Sequence, residues 1–377
     1  MMCFIKRLLQ KIRYIDFILL YKIYCFKNVI NDKKVLFLSS SRDTLTGNFL
    51  YVYNEIEKRK KYEINYILKK NLKSKFSFNE KRKLAKLISM SKYIFVDDFC
   101  PIIYTLKLRK KTNLIQLWHA MGAFKKVGYS REKNKKAYSL THRNYTAAIV
   151  SSESIRKNYA EAFGISVNKV HALGIPRTDI FFDDNYKNNV IDILYKKYPV
   201  LKRKKVILFA PTFRGSSQNN AYYDFSCFDF KRLSDIFSKD YVCIYKLHPF
   251  IKNRPEYDLE NDKFYLDLSN EREINDLLFI TDILITDYSS VIFEYSFFKK
   301  PVIFYMPDLD DYKNSRDFYY PLSKYTYGPV VKNFDNLIEE IRNEKIDLKK
   351  LKEFNTFFCS SCVGDSSKKV VDYFLGK

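Results

Sequence analysis

The chain has 377 residues, enough for two separate cores, and 46% of them are hydrophobic, which excludes a disordered chain. The formal net charge of +24 favours an anionic partner: nucleic acid, a membrane surface or a phosphorylated substrate. Lys, Ile, Asn, Tyr and Phe are all abundant, as an AT-rich genome would produce, so the charge narrows the partner without choosing it.

Residues 1–33 open the chain as a basic, aromatic segment. On a helical wheel over 4–26, Ile5, Leu8, Leu9, Ile12, Ile15 and Leu19 share one face, while Lys6, Arg7, Gln10, Lys11 and Arg13 lie away from it. Asp16 interrupts the apolar side. No uncharged run approaches the roughly 18 residues of a spanning helix, and no small-residue cleavage site follows, so a signal peptide is not expected. The pattern suits an amphipathic helix in a membrane interface; an ordinary helix packed on the domain fits it equally well.

From residue 34 strands and helices alternate. Strands are expected at 35–38, 64–68, 93–96, 114–118, 147–150 and 170–173, and helices at 49–60, 80–90 and 155–163. Such alternation implies parallel strands with helical crossovers, giving a first domain over 34–182. Residues 183–204, polar and lysine-rich with Pro199 inside, read as a helix and linker. A second domain, 205–377, continues with strands at 206–210, 241–247, 283–285 and 302–305, and helices at 273–279, from Ser289 onward, at 334–342 and at 370–374. The expected fold is therefore α/β, with two doubly wound Rossmann-like domains facing across a cleft.

In open parallel sheets, ligands sit beyond the carboxyl ends of the strands. The polar clusters fall at those ends. His119 follows Leu117-Trp118; Thr212 and Arg214 follow the strand at 206–210. Lys246 and His248 close the strand from Tyr241, two apart and so on one side of it. After the apolar run 283–285, Thr286-Asp287-Tyr288 leads into Ser289 and Ser290, then Val291, Tyr295 and Phe298 at helical spacing. Unpartnered N–H groups, two hydroxyls and the positive end of a helix dipole make a phosphate seat there. Glu294, one turn on, would reach a hydroxyl beside that phosphate. A plain N-cap explains the same serines. His142 and His171 lack such a setting and read as structural.

No G-x-G-x-x-G or Walker A loop occurs, and glycine appears only nine times, which argues against the usual dinucleotide and NTPase folds. Nucleophile-elbow glycines are absent too. Asp308-Leu309-Asp310 matches a metal-binding D-x-D spacing, but with Asp311 and Tyr312 it reads better as a helix start. The seven cysteines are scattered, and Cys359 and Cys362 form one C-x-x-C with no second pair. A zinc site needs four ligands, so no metal is expected and a reducing compartment fits best.

Five segments occur in one order: Gln116-Leu117-Trp118-His119, Gly174-Ile175-Pro176-Arg177-Thr178-Asp179, Ala210-Pro211-Thr212-Phe213-Arg214, Lys246-Leu247-His248-Pro249 and Ile285-Thr286-Asp287-Tyr288-Ser289-Ser290. Together with Asn48-Phe49-Leu50-Tyr51 and Lys300-Pro301-Val302-Ile303-Phe304-Tyr305, they resemble the CDP-glycerol glycerophosphotransferase family, the teichoic acid primases and polymerases. The likeness runs from about residue 36 to 330. It implies a GT-B fold and a CDP-glycerol or CDP-ribitol donor, with no cofactor and no metal. It further implies a lipid-linked polyprenyl-diphosphate glycan as acceptor and peripheral attachment to the cytoplasmic face of a bacterial membrane. No nucleic acid partner is expected; a homo-oligomer is compatible with it.

Carried over by position, the resemblance makes His119 the catalytic base and places His248 beside the pyrophosphate as a second catalytic histidine. Ala120, Met121, Gly122 and Ala123 would line the donor pocket. Arg177 would meet the donor phosphates, Pro211 and Thr212 the nucleotide, and Lys246 and Leu247 the pyrophosphate. Ser289 and Ser290 would hold phosphate and Glu294 the ribose, with Arg214 and Asp287 in the same substrate-binding set. One departure stands out: this chain reads Trp118-His119-Ala120-Met121-Gly122 where polymerases of the family read Trp-His-Gly-Thr-Pro, so a threonine hydroxyl is missing.

These residues suit transfer of a polyol phosphate to a hydroxyl of a lipid-linked glycan or growing polymer, with release of CMP. A GT-B glycosyltransferase using a sugar nucleotide is the alternative; it would break a C–O bond instead of a P–O bond. A nucleic-acid binder would account for the charge, but no RRM, KH or helix-turn-helix signature appears. A scaffold would have no need of His, Arg and Ser gathered at strand ends.

Overall fold

The computed structural model describes residues 11–131, 142, 144–215, 218–271, 273–315 and 317–376. The chain forms two compact units: Met1–Phe182 with Phe357–Lys377, and Asp183–Thr356.

The first unit holds β1 (Asn31–Ser39), β2 (Glu63–Leu68), β3 (Ser91–Val96), β4 (Asn113–Gln116), β5 (Ala147–Ile149) and β6 (Val170–His171). They pair in parallel in the order β2-β1-β3-β4-β5-β6. A parallel sheet is covered on both faces, so its central strands are apolar without alternation; Val35, Leu36, Phe37 and Leu38 are all fully buried. The helix Asn48–Lys58 lays Phe49, Val52 and Ile56 on this sheet. Phe37 meets Phe49 edge-on at 5.1 Å and stacks on Phe95 at 5.3 Å. Burying such a side chain contributes about 1.5–3 kcal/mol. The helix Phe78–Met90 starts at a capping box, Ser77 with Glu80, which satisfies donors that would otherwise have no partner.

The helix Ile15–Lys27 packs through Phe17 and Tyr21, and Lys81 Nζ ties it to the helix Phe78–Met90 by an ion pair of 2.6 Å to Asp16. Its other side leaves Ile15, Leu19, Ile23 and Phe26 exposed, in line with Ile12. The helix is therefore packed on the unit along one side and exposed along the other. Residues 4–10 of the expected amphipathic helix lie outside the described residues. Among the described residues no helix is long and apolar enough to cross a membrane.

The second unit holds β7 (Lys205–Ala210), β8 (Tyr241–Tyr245), β9 (Tyr265–Asp267), β10 (Ile283–Thr286), β11 (Val302–Tyr305) and β12 (Val330–Val331). These are also parallel, in the order β12-β11-β10-β7-β8-β9. β9 and β12 span three and two residues, too short to show a period.

Four departures from the sequence reading bear on the site and the division into units. β4 ends at Gln116 because Trp118 takes a left-handed φ of 55° and turns the chain away. Residues 183–204 are no free linker: the helix Asp184–Lys197 belongs to the second unit, where Tyr186 Oη donates to Asp276 at 2.8 Å. The helix expected from Ser289 is only Val291–Tyr295, followed by a 3-10 turn, Ser296–Phe298.

Finally, the chain end does not stay with the second domain. The helix Ser366–Leu375 sends Val370, Val371 and Leu375 into the core of the first unit. The Asp179 carboxylate accepts from the backbone N–H groups of Ser366 and Ser367, at 2.9 and 2.8 Å. An apolar stripe and a start-of-helix carboxylate thus anchor this segment.

Candidate active site

In the first unit the site is built at the end of β4. Trp118 packs on Phe163 with ring centroids 5.2 Å apart, and the His119 ring lies beside Trp118 at 4.4 Å. The left-handed Trp118 costs roughly 1–2 kcal/mol for a residue with a Cβ, and its surroundings hold it there. Asn48, almost fully buried, donates to the carbonyls of Leu117 and Trp118 at 3.1 and 2.8 Å. Its own side-chain oxygen accepts from the Arg177 backbone N–H at 3.1 Å. Trp118 N–H in turn donates to Gln116 Oε1 at 2.8 Å.

The His119 side chain is 43% exposed, and its Nδ1 stands 3.5 Å from Asp98 Oδ1. That distance marks an electrostatic contact, longer than a well-formed hydrogen bond. A carboxylate on Nδ1 favours the tautomer whose Nε2 is a free base. The Arg177 guanidinium donates to the backbone carbonyl of His119. This fixes the histidine backbone and brings a cation next to it.

Of the four residues expected to line a donor pocket, only Ala120 is partly accessible; Met121 and Ala123 are each 1% exposed and Gly122 is buried. Gly122 N–H donates to Ser151 Oγ at 3.3 Å, and its carbonyl accepts from Tyr159 at 2.7 Å. Ser151 Oγ in turn donates to the carbonyl of Phe358 at 2.6 Å. Met121, Gly122 and Ala123 therefore support the histidine loop from within, with the returning chain end behind them.

In the second unit Ala210 and Thr286 are paired across β7 and β10, so Thr212 and Asp287 emerge side by side. Asp287 is 1% exposed; its Oδ1 accepts from Thr212 N–H at 2.8 Å. Arg214 bonds Asp287 Oδ2 at 2.8 Å and both oxygens of Asp308, at 2.5 and 2.9 Å. Its guanidinium carbon lies 5.0–5.2 Å from the ring centres of Tyr223, Tyr288 and Tyr312. Burial works against the charge, but Asp287 and Asp308 outweigh it and raise the pKa of Arg214.

Two carboxylates thus balance the charge of Arg214 in this structure, and Asp287 also holds the loop end through Thr212 N–H. Asp308 sits just before the helix Leu309–Ser315; the expected helix start is present, and the aspartate before it is half of this ion cluster.

Lys246 is 7% exposed; its Nζ donates to Ser269 O at 3.1 Å, and Leu247 N–H donates to Ser269 Oγ at the same distance. Burial lowers the Lys246 pKa, while Glu271, Asp267 and Glu273 work the other way. His248 Nδ1 accepts from Phe250 N–H at 3.2 Å, which leaves the neutral ring's proton on Nε2. His248 is thus arranged as a donor more than as a base. Its ring sits 4.8 Å from that of Phe213.

Pro211 and Thr212 are buried, while Ser289 and Ser290 are half-buried. Ser289 Oγ accepts weakly from Val291 N–H at 3.4 Å. Glu294 is 2% exposed. A cavity of about 670 Å³ opens beside Arg214, lined by Tyr222, Tyr223, Asp224, Asp308 and Tyr312. Among the described residues, no cluster of three or more His, Cys, Asp or Glu could hold a metal ion.

Sequence reasoning missed Asp98 and Ser151, and it quoted Asn48 within a motif without giving it a role. Asp97-Asp98 after the strand at 93–96 was the available signal for the first.

The model of the family described as CDP-Glycerol:Poly(glycerophosphate) glycerophosphotransferase matches residues 19–376. The chain belongs to this family. Among glycerophosphotransferase relatives, it is 47% identical over 347 residues to the teichoic acid poly(ribitol-phosphate) polymerase of Bacillus spizizenii, covering 91% of this chain and 56% of that protein. The chain thus spans little more than half the length of that relative. It is 36% identical to the teichoic acid ribitol-phosphate primase of the same organism, over 94% of this chain and 93% of the primase. The fold is that of the wall teichoic acid polymerase TagF, H444N variant: TM-score 0.77 at 22% identity, covering 97% of this chain and 96% of that one.

Proposed function

We propose that this glycerophosphotransferase-family chain transfers ribitol phosphate from CDP-ribitol to a hydroxyl of a lipid-linked glycan or growing polymer and releases CMP. The observation that carries the reading is the exposed His119 backed by Asp98 at the carboxyl end of a parallel sheet, in a chain whose relatives at 47% and 36% identity are both named for ribitol phosphate.

In this mechanism the acceptor oxygen attacks the polyol-bearing phosphorus. A new P–O bond forms as the bond to the CMP phosphate breaks, and CMP leaves with that electron pair. Nε2 of His119 takes the hydroxyl proton, help typically worth about 10²–10⁴-fold. Phosphoryl transfer otherwise depends on positioning and on offsetting charge at the phosphate oxygens. Arg177, Lys246, His248 Nε2–H and the hydroxyls of Ser289 and Ser290 are the groups assigned to that charge, with Pro211, Thr212, Leu247 and Glu294 shaping the nucleotide side. Arg214 and Asp287 hold the loop that carries Thr212. The enzyme works at the cytoplasmic face of a membrane, with the exposed stripe of the helix Ile15–Lys27 and the charge of +24 as its means of attachment.

The test is incubation with CDP-ribitol, CDP-glycerol and UDP-sugars, each with a panel of lipid-linked acceptors, read by mass spectrometry. Acceptor mass rising by ribitol phosphate with matching CMP is expected. Turnover of UDP-sugars alone would sink the reading.

A further inference from the structure

A second cavity lies in the first unit, about 230 Å³ in volume, and nothing in the transfer chemistry above uses it. Its polar lining is Arg13, Tyr14, Ser40, Ser74, Lys75 and Lys81. Leu72, Phe76, Pro101 and Ile102 supply apolar wall. Lys81 is paired with Asp16 at 2.6 Å. Among the described residues Arg13 and Lys75 make no ion pair, so two of the three cations are uncompensated.

Two features suit this cavity to a ligand. The first is the strand edge. Ser40 follows β1, and His119 follows β4; β3 lies between them in the sheet. Both residues therefore leave the same carboxyl edge, two strand spacings or roughly 10 Å apart. The second is apolar. Arg13 and Tyr14 stand between Ile12 and Ile15, which begin the exposed stripe continued by Leu19, Ile23 and Phe26. Cations in a recess with a greasy rail beside them match an amphiphile with an anionic head.

We propose that this cavity binds the phosphate or diphosphate ester of an amphiphilic acceptor, with its hydrocarbon chain along the Ile12–Phe26 stripe and its hydroxyl end directed towards His119. This rests on the transfer reading for the identity of the acceptor, but not for the binding itself. The separation from His119 leaves room for a short saccharide between head group and reacting hydroxyl. Anionic oxygens would take charge-assisted hydrogen bonds from Arg13 and Lys75, and the Ser40 and Ser74 hydroxyls would complete the shell. A bilayer phospholipid offers the same head-group chemistry. The placement on the His119 edge favours the acceptor.

The test is equilibrium binding of farnesyl diphosphate to the full chain and to Lys75→Glu and Arg13→Gln. Both residues are exposed, so the variants fold, which a thermal melt checks. Inorganic pyrophosphate and phosphatidylcholine vesicles containing phosphatidylglycerol, whose anionic head groups attract basic surfaces, are the other probes. Expected is a loss of about tenfold in farnesyl diphosphate affinity for Lys75→Glu, with vesicle binding changed less than about twofold. Unchanged farnesyl diphosphate affinity overturns the proposal. So does an equal loss on vesicles, which would make the cavity a general head-group site. Binding needs no turnover, so a chain inert towards CDP-ribitol that still binds farnesyl diphosphate through Lys75 would refute the transfer reading and leave this site standing.

Discussion

His119 and Asp98 face each other at 3.5 Å beyond the ends of two neighbouring strands, β4 and β3. The strand pairing alone brings them together, because Val96 and Gln116 are register partners and each residue follows two or three positions later. In the proposed mechanism, replacing His119 by Ala removes the base and should cut kcat by about 10²–10⁴-fold. Asp98→Asn keeps the ring but loses the charge that orients it. A smaller fall in kcat, about tenfold or more, is expected with KM for the CDP-polyol unchanged. Steady-state kinetics separates the two. A rise in KM with kcat intact would make Asp98 a substrate contact.

Arg214 belongs to the architecture of the second unit. Its side chain is 10% exposed, that of Asp287 1% and that of Asp308 32%. Arg214→Ala strands a buried carboxylate, and breaking such a pair costs about 3–5 kcal/mol; the partly exposed Asp308 puts this case near the lower end. Denaturant unfolding should show the loss. Arg214→Lys should recover little, since an ammonium cannot span two oxygens of Asp308 and one of Asp287 together. If Arg214→Ala unfolded like the wild type but lost only donor affinity, the cluster would be a ligand site after all.

Gly174 explains one motif in steric terms. Its φ is 86°, and a Cβ there would lie 2.3 Å from Ser366 Oγ and 2.6 Å from the Ser361 carbonyl. Gly174→Ala should therefore loosen the chain end, beyond the roughly 1–2 kcal/mol that a left-handed alanine costs by itself. Hydrogen exchange should report faster opening of the helix Ser366–Leu375. Gly376→Ala is the control: φ is 88°, but a Cβ meets nothing within 4 Å. Equal effects at both positions would deny the packing argument.

Much of this was legible in the chain. The parallel strands stood out because their apolar runs are bracketed by polar residues, and Asp287, Lys246 and His119 fell at strand ends as read. Local pattern says nothing about a partner far along the chain. Asp308 neutralises Arg214 across 94 positions, and Asp179 caps a helix 187 positions later. The return of the last helix to the first unit was invisible for the same reason: its apolar stripe declares that it packs, not where. Trp118 was extended to the strand end because nothing in its type announces a left-handed turn.

His142 gives a pH test. It is buried, and burial lowers its pKa from 6.5 to about 4, with Asp98 opposing the shift. Its Nδ1 meets Tyr145 Oη at 3.2 Å. The folded state thus binds fewer protons than the unfolded one between these values. Stability from this group is full above about pH 6.5 and falls as pH drops towards 4, by roughly 3 kcal/mol in all. Asp97 acts in the opposite sense, because burial raises its pKa despite Arg42. The difference between wild type and His142→Gln isolates the histidine: their gap in denaturant midpoint should shrink from pH 7 to pH 4.5. A constant gap would contradict the burial argument.

The helix Ile15–Lys27 carries the last prediction. Ile12, Ile15, Leu19, Ile23 and Phe26 recur at steps of three or four residues and are each at least half exposed, Phe26 to 95%. Helical spacing puts them on one line, while Phe17 and Tyr21 hold the opposite side to the unit. Water is a poor solvent for such a line, and a membrane interface would bury it. Leu19→Glu with Ile23→Glu should reduce pelleting with phosphatidylcholine–phosphatidylglycerol vesicles by about tenfold or more, from lost burial of roughly 1.5–3 kcal/mol per side chain. Melting temperature should change little, because both residues are half exposed and lie on the side away from Phe17 and Tyr21. The residual binding should vanish in high salt, as expected for the basic surface alone. Undiminished pelleting of the double variant would assign attachment to that surface and leave the stripe without a role in attachment.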